Sequence, residues 1–190
     1  MIEGNRNSWK KGVRVFFAIW PDPVSKSRLI ELGRKLQRES ICIGHATKGE
    51  NIHLTLAFLG EMSPSRLATL FRIAAEIPPS AARAFDLAIE KISYRKHKGI
   101  LYAGVDPIPD ELHKLVQALH SALISGGFML ESRPYLPHIT LMRYASCSAL
   151  PELPERITWE AREWMLMKSE QTSGGSVYTP IGRWSLAATS

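Results

Sequence analysis

The chain has 190 residues, 45% of them hydrophobic and 22% charged, with a formal net charge of +6, a balance that suits one soluble globular domain. No apolar run approaches the roughly 20 residues needed to cross a bilayer. Two cysteines, Cys42 and Cys147, far apart and without metal-ligand spacing, offer no disulfide framework and point to a reducing cytoplasm. A pI near 9.5 predicts a surface that attracts anions, RNA or DNA among them, without requiring either.

Residues 1–12 are polar and basic and read as a flexible arm. Basic residues then precede the apolar run VRVFFAIW (13–20), as they would in a leader. Arg14 interrupts that run, Pro21 and Pro23 stop it, and no small-residue cleavage site follows, so it is read as a strand. Asp22-Pro23 supplies an N-cap and a first-turn proline, and Leu29, Leu32 and Leu36 at helical spacing carry a helix to about Arg38. Residues 39–51 read as loop, with Gly44, Gly49 and Asn51 as punctuation.

IHLTLAFL (52–59) is the second strand; Ser63-Pro64 opens a helix with Leu67, Leu70, Phe71, Ala74 and Ile77 on one face, ended by Pro78-Pro79. AFDLAIEKISY (84–94) and GILYAGV (99–105) are two strands around the basic tip RKHK (95–98). Pro109 opens a helix striped by Leu112, Leu115, Val116, Leu119, Ala122 and Leu123, with Gly126-Gly127 as its stop. His113 and His120 fall off that stripe and are expected to face water. PHITLMR (137–143) is a short strand, YASCSALPELPERIT a loop, and Trp159–Lys168 and Val177–Trp184 two last strands around Gly174-Gly175. The mixture, without strict alternation, predicts an α+β protein with antiparallel sheets: residues 13–190 as a single domain after the arm, in which each half sets a strand and a helix ahead of a His-x-Thr strand.

That motif occurs twice, in ENIHLTLAFLG (50–60) and RPYLPHITLMR (133–143). Alternation along a strand puts Ile52, Leu54, Leu56 and Phe58 on the core side and His53 and Thr55 on the other. In the second copy Ile139 and Leu141 take the core side, His138 and Thr140 the opposite one. If folding brings the two strands together, one neutral imidazole can take a proton from an attacking nucleophile while the other, protonated, supplies one to the leaving oxygen. Two threonine hydroxyls then face the charge that builds on a phosphate. This is phosphodiester chemistry without a metal. No His-x-x-x-His or Cys-x-x-Cys spacing suggests zinc, and neither a phosphate-binding glycine loop nor a Gly-x-Ser-x-Gly elbow occurs, so no cofactor or metal is expected.

With RVFFAIWP (14–21), NIHLTLAFLGE (51–61), RPYLPHITLMR and YTPIGRW (178–184) in this order, the chain resembles the two-histidine (2H) phosphoesterase superfamily. It is most similar to the bacterial 2′-5′ RNA ligase-like branch, the RNA 2′,3′-cyclic phosphodiesterases. The resemblance implies a bilobal fold, two antiparallel sheets facing a central groove with helices outside. It implies hydrolysis of 2′,3′-cyclic phosphate ends of RNA, tRNA fragments or nucleotides to a 2′-phosphate. Catalysis falls to His53 and His138, and phosphate binding to Thr55, Thr140 and Arg143. The expected order has His138 activating water and His53 protonating O3′, with the reverse order open.

Strict alternation would place Arg143 on the face opposite His138, unless a bulge or the strand end turns it back. Many relatives carry an aromatic or proline before the first motif, where this chain has GHATKGE (44–50). RNA contacts are assigned to His45 and to the tip residues Tyr94, Arg95 and Lys96. Trp9 and Trp20 are aromatic residues that either pack or meet RNA. A cytoplasmic monomer away from membranes is expected. The alternatives are 2′-5′ joining of RNA ends, hydrolysis of small cyclic phosphates, and a non-catalytic RNA- or nucleotide-binding module.

Overall fold

The computed structural model describes residues 12–188 apart from 151 and 154, so the expected arm, with Trp9, lies outside the described residues except for Gly12. Strand β1 (Val13–Ile19) alternates as its sequence requires: Val15, Phe17 and Ile19 enter the main core, while Phe16 and Ala18 join a small cluster on the other face. Helix α1 (Pro23–Arg38) starts where Asp22 accepts a hydrogen bond from Ser25 N at 2.7 Å, with proline in its first turn, and buries Leu29, Leu32 and Leu36. Strand β2 (Cys42–Ala46) and a 3₁₀ turn (Gly49–Asn51) follow.

Next come β3 (Leu54–Met62), α2 (Pro64–Ala75), β4 (Phe85–Arg95), β5 (Ile100–Val105), α3 (Asp110–Ser125), β6 (His138–Cys147), β7 (Ile157–Ala161), β8 (Glu163–Thr172) and β9 (Gly175–Ser185). The strands form one sheet in the order β7-β4-β5-β6-β3-β1-β8-β9, with β2 paired to β6, and every strand-to-strand pairing is antiparallel. The two halves meet at a single register pair, Leu54 with Ile139. The two sheets expected from the resemblance are therefore two halves of one, splayed apart around that pair. Helix α1 packs on β2, β6 and β7, while α2 and α3 pack on each other and on β9 and β3. All three cover the face that carries the main core, and the opposite face is left open as a groove.

Three sequence expectations change. Residues 42–46 form an edge strand instead of loop, because β6 runs on to Cys147 and offers them a pairing edge. The two run so close that a Cβ on Gly44 would stand 2.9 Å from Ala145 Cα and Arg143 O, so glycine marks a close backbone approach here. The single strand expected over 159–168 is two strands broken at Arg162. Strand β7 pairs with β4 in one half and β8 with β1 in the other, so this corner carries the chain between halves. The cysteines are not free: Cys42 and Cys147 are register partners of β2 and β6 and are joined as a disulfide. Strand pairing brings together what 105 residues of sequence separate.

Candidate active site

His53 stands immediately before β3 and His138 opens β6, at the seam between the halves. Leu54 pairs with Ile139, and both are fully buried. Carrying that register one residue in either direction sets Thr55 opposite His138 and His53 opposite Thr140. All four line one cavity of about 330 Å³ on the open face, together with Arg143 and Tyr144. The seam is where two separate His-x-Thr segments become one site.

Both rings are held in the same way. His53 Nδ1–H donates to Asn51 O at 2.7 Å, and His138 Nδ1–H donates to Leu136 O at 2.7 Å. Each imidazole is thus tied to the carbonyl two residues before it, which leaves its Nε2 as the reactive atom. His53 Nε2 accepts from the Thr55 hydroxyl at 3.1 Å.

The surroundings of the two rings differ. Trp20 stacks on His53 at 4.9 Å and 18°, Tyr178 meets it edge-on at 5.3 Å, and Phe16 lies at 5.0 Å. Burial in this aromatic box lowers the His53 pKa to about 4, with the Asn51 carbonyl opposing and Arg143 and His138 reinforcing the shift. His138, edge-on to Tyr102 at 5.2 Å, is lowered too, by burial first and then by Arg95 and Arg143. His53 lines the first cavity, whereas His138 also borders a second of about 350 Å³.

Because the folded pKa of His53 lies below its unfolded value, the unfolded chain takes up the proton first as pH falls. Stability is therefore unaffected above about pH 6.5 and declines between there and pH 4, by about 3 kcal/mol from this group. His138 acts in the same direction. Urea unfolding at pH 7.5, 6 and 5 is expected to show this decline, and a smaller one in His53→Gln; a wild-type midpoint independent of pH over that range would contradict the burial.

Arg143 does reach the groove. In β6 the register with β5 skips a residue between Met142 and Thr140, so Leu141 and Met142 are both buried and Arg143 is turned back to the face of His138. The same device occurs in β3, where the register with β1 skips between Ala57 and Thr55: Leu56 and Ala57 are both buried and Phe58 faces the groove. Phe58, expected in the core, is 41% exposed, with Arg14 stacked over its ring at 4.8 Å. Two consecutive apolar residues after each threonine cannot both be buried by strict alternation. A bulge buries both, and burial of a side chain such as Met142 is worth roughly 1.5–3 kcal/mol. The two motifs therefore match at a third position, with Phe58 in the place of Arg143.

The bulge in β3 is braced from outside the motif. Tyr135 Oη donates to Thr55 O at 3.0 Å and His120 Nε2–H to Leu56 O at 2.9 Å. His120 is thus a half-buried brace and not a water-facing residue, whereas His113 is exposed as expected. Among the remaining assigned residues, His45 lines the first cavity and Arg95 the second. Tyr94 turns the other way, packed on the main core with its hydroxyl bonded to Ala145 O at 2.7 Å, which removes it from the groove. Lys96 sits in the 3₁₀ turn at the hairpin tip and lines neither cavity.

Sequence reading missed the wall supplied by the β8–β9 hairpin. Lys48 Nζ donates to Gly174 O at 2.6 Å and Asn51 Nδ2 to Ser176 O at 2.8 Å, strapping the hairpin to the loop before His53. Thr47 Oγ1 and Asn51 Oδ1, both in residues lining the first cavity, are buried without a hydrogen-bond partner among the described residues. Arg143, Arg95 and Lys98 have no carboxylate within ion-pair distance among the described residues. A groove with unpaired cations beside two imidazoles is suited to an anion. No group of three His, Cys, Asp or Glu side chains placed to hold a metal occurs among the described residues. No helix among them is long and apolar enough to cross a membrane.

The profile of the 2′-5′ RNA ligase superfamily matches residues 18–172. The RNA 2′,3′-cyclic phosphodiesterase of Escherichia coli (strain K12) is 32% identical over 145 residues, covering 75% of this chain and 80% of that protein. Crystal structures of E. coli LigT superpose with a TM-score of 0.84 at 29% identity, both in the apo form and complexed with 3′-AMP. They cover 94% and 93% of this chain and 99% of each of theirs.

Proposed function

Because the chain belongs to the 2′-5′ RNA ligase superfamily, we propose that it hydrolyses 2′,3′-cyclic phosphates at RNA ends to 2′-phosphates without a metal. The observation that carries this reading is the pair of Nδ1-tethered histidines whose Nε2 atoms are left for one anion-suited cavity. Water attacks phosphorus while one Nε2 takes its proton. The P–O3′ bond breaks, and the other Nε2 returns a proton to O3′. A free 3′-hydroxyl and a 2′-phosphate remain. Thr55, Thr140 and Arg143 hydrogen-bond the non-bridging oxygens, where charge grows as the attacking oxygen adds.

His138 is the base and His53 the acid. The second cavity gives water a route to His138, whereas His53 is walled by Phe16, Trp20 and Tyr178. A buried imidazolium is a strong acid. Its proton is taken up when the phosphate anion binds and is favoured by the Trp20 face on which the ring stacks. RNA contacts fall to His45 and Arg95, with Lys98 beside Arg95 in the second cavity. The site is complete in one chain, which supports action as a monomer.

The second cavity adjoins Thr55 and His138 and supports a second reaction at the same site. A 5′-hydroxyl seated in place of water would attack the same phosphorus and leave a 2′-5′ linkage, again releasing O3′.

Metal-free incubation in EDTA with an RNA oligonucleotide ending in a 2′,3′-cyclic phosphate tests the reading. A 2′-phosphate product with a bell-shaped dependence of kcat/KM on pH is expected. Absence of product from folded protein, on oligonucleotide and mononucleotide alike, would refute hydrolysis.

A further inference from the structure

We infer that Tyr144 and His45 form a stacking platform for the base of the nucleotide whose phosphate lies between the two histidines. This rests on the function proposed above and adds a subsite to it. Tyr144 adopts φ +52°, in the left-handed region that bulky side chains avoid, yet the residue is 79% exposed. Folding gains little from this ring, and the backbone there is held in a costly conformation. Such positions persist where surrounding structure over-determines them, and they cluster at binding sites.

The surrounding structure is visible. Ala145 N donates to Gly99 O at 2.8 Å, and a Cβ on Gly99 would lie 3.2 Å from Tyr144 Cα. Gly99 itself takes φ +57°. The turn after β4 thus presses on the β6 backbone at Tyr144 and fixes where the ring emerges. It emerges at the cavity that holds both catalytic histidines. His45 reaches the same cavity from β2, because β2 pairs it with Arg143. The two rings meet edge-on at 5.4 Å and 68°, and both line the cavity beside Arg143, Tyr144 as its neighbour in the chain and His45 as its partner across the strands.

Two flat rings beside a phosphate-binding guanidinium match a nucleotide: the anion on Arg143, the heterocycle on the rings. Stacking on an aromatic side chain tolerates any base, so the platform grips an RNA end without reading its sequence. By alanine substitution one stacked base is worth roughly 5- to 150-fold in affinity. The cavity's volume of about 330 Å³ suits one nucleotide. The RNA chain then leaves past His138 and Thr55, which also border the second cavity.

Tyr144→Gly separates the ring from the fold, since glycine accepts the positive φ. With adenosine 2′,3′-cyclic phosphate, this variant is expected to raise KM by about tenfold or more, to change kcat by less than about twofold, and to melt no lower than wild type. With 1-O-methylribose 2,3-cyclic phosphate, which has no base, its KM should equal that of wild type. Tyr144→Phe should restore the nucleotide KM, and His45→Ala should shift it in the same direction as Tyr144→Gly. An unchanged KM for the nucleotide, or an equal rise on both compounds, would overturn the platform. If wild type turns over neither compound, the proposed hydrolysis fails separately, and equilibrium binding of adenosine 2′-phosphate then decides. Weaker binding by Tyr144→Gly keeps the platform; equal binding, or none by wild type, removes it.

Discussion

His138→Ala is expected to lower turnover of a ribonucleotide 2′,3′-cyclic phosphate by about 10²–10⁴-fold, and His53→Ala by a similar factor. Each ring is tied through Nδ1 to a carbonyl two residues upstream, so each presents Nε2 alone and has no second nitrogen to substitute. The double variant should fall well short of the product of the two losses, because proton removal and proton delivery serve one step. Leaving-group chemistry separates the roles. With a nitrophenyl phosphodiester, whose phenolate departs without a proton, His53→Ala is expected to recover most of its loss while His138→Ala stays impaired. Recovery confined to His138→Ala would exchange the two assignments. Undiminished activity in either variant on the cyclic substrate would remove that histidine from catalysis. Thermal melts of both variants accompany the kinetics, so that misfolding cannot pass for lost chemistry.

Arg143→Ala is expected to lower kcat/KM by about 10²–10³-fold, the usual range for removing one donor aimed at developing phosphate charge. Its guanidinium is exposed and has no ion-pair partner among the described residues. Stability should therefore change by no more than about 0.5 kcal/mol. Arg143→Lys should recover part of the loss, since an ammonium keeps the charge but not the two parallel donors that match a phosphate edge. The two measurements together discriminate. A variant that melts lower but turns over normally would make Arg143 a strand-end support and no phosphate ligand.

The pattern HLTLA and HITLM shows why part of this site was readable before folding. Alternation alone correctly assigned His53 with Thr55 and His138 with Thr140 to a non-core face, because each lies within two residues of the other on an unbulged stretch. It misassigned Phe58 and left Arg143 undecided, because both come after the pair of apolar residues that forces a bulge. The signal was present: Leu56-Ala57 and Leu141-Met142 are adjacent apolar pairs that break the alternation set by His53 to Leu56 and by His138 to Leu141. What period-2 reasoning lacks is the energetic comparison between keeping the ladder and burying both side chains.

Other misreadings have the same origin. The loop expected over 39–51 contains β2, a strand with glycine and histidine in it, which exists because β6 extends far enough to pair with it. Cys42 and Cys147 carried no spacing signal, since a cross-strand disulfide depends on register and not on sequence distance. Helix α3 placed His120 off its apolar stripe, and only the carbonyl of the β3 bulge explains why it is half buried. Tyr94, placed with the basic tip, faces the core because its strand side is decided by pairing with Leu101.

Taken by itself, the sequence determined the order of most elements, the α+β class, and the two imidazole–hydroxyl pairs, because these depend on local periodicity, capping and composition. The tertiary structure alone decided that the two pairs meet at the Leu54–Ile139 seam. It also decided that Arg143 turns into the cavity of the two histidines, that Trp20 and Tyr178 enclose His53, and that Tyr144 stands strained beside His45. Each of these depends on contacts between residues distant along the chain, where cross-strand register and the competition to bury apolar side chains outweigh any local preference.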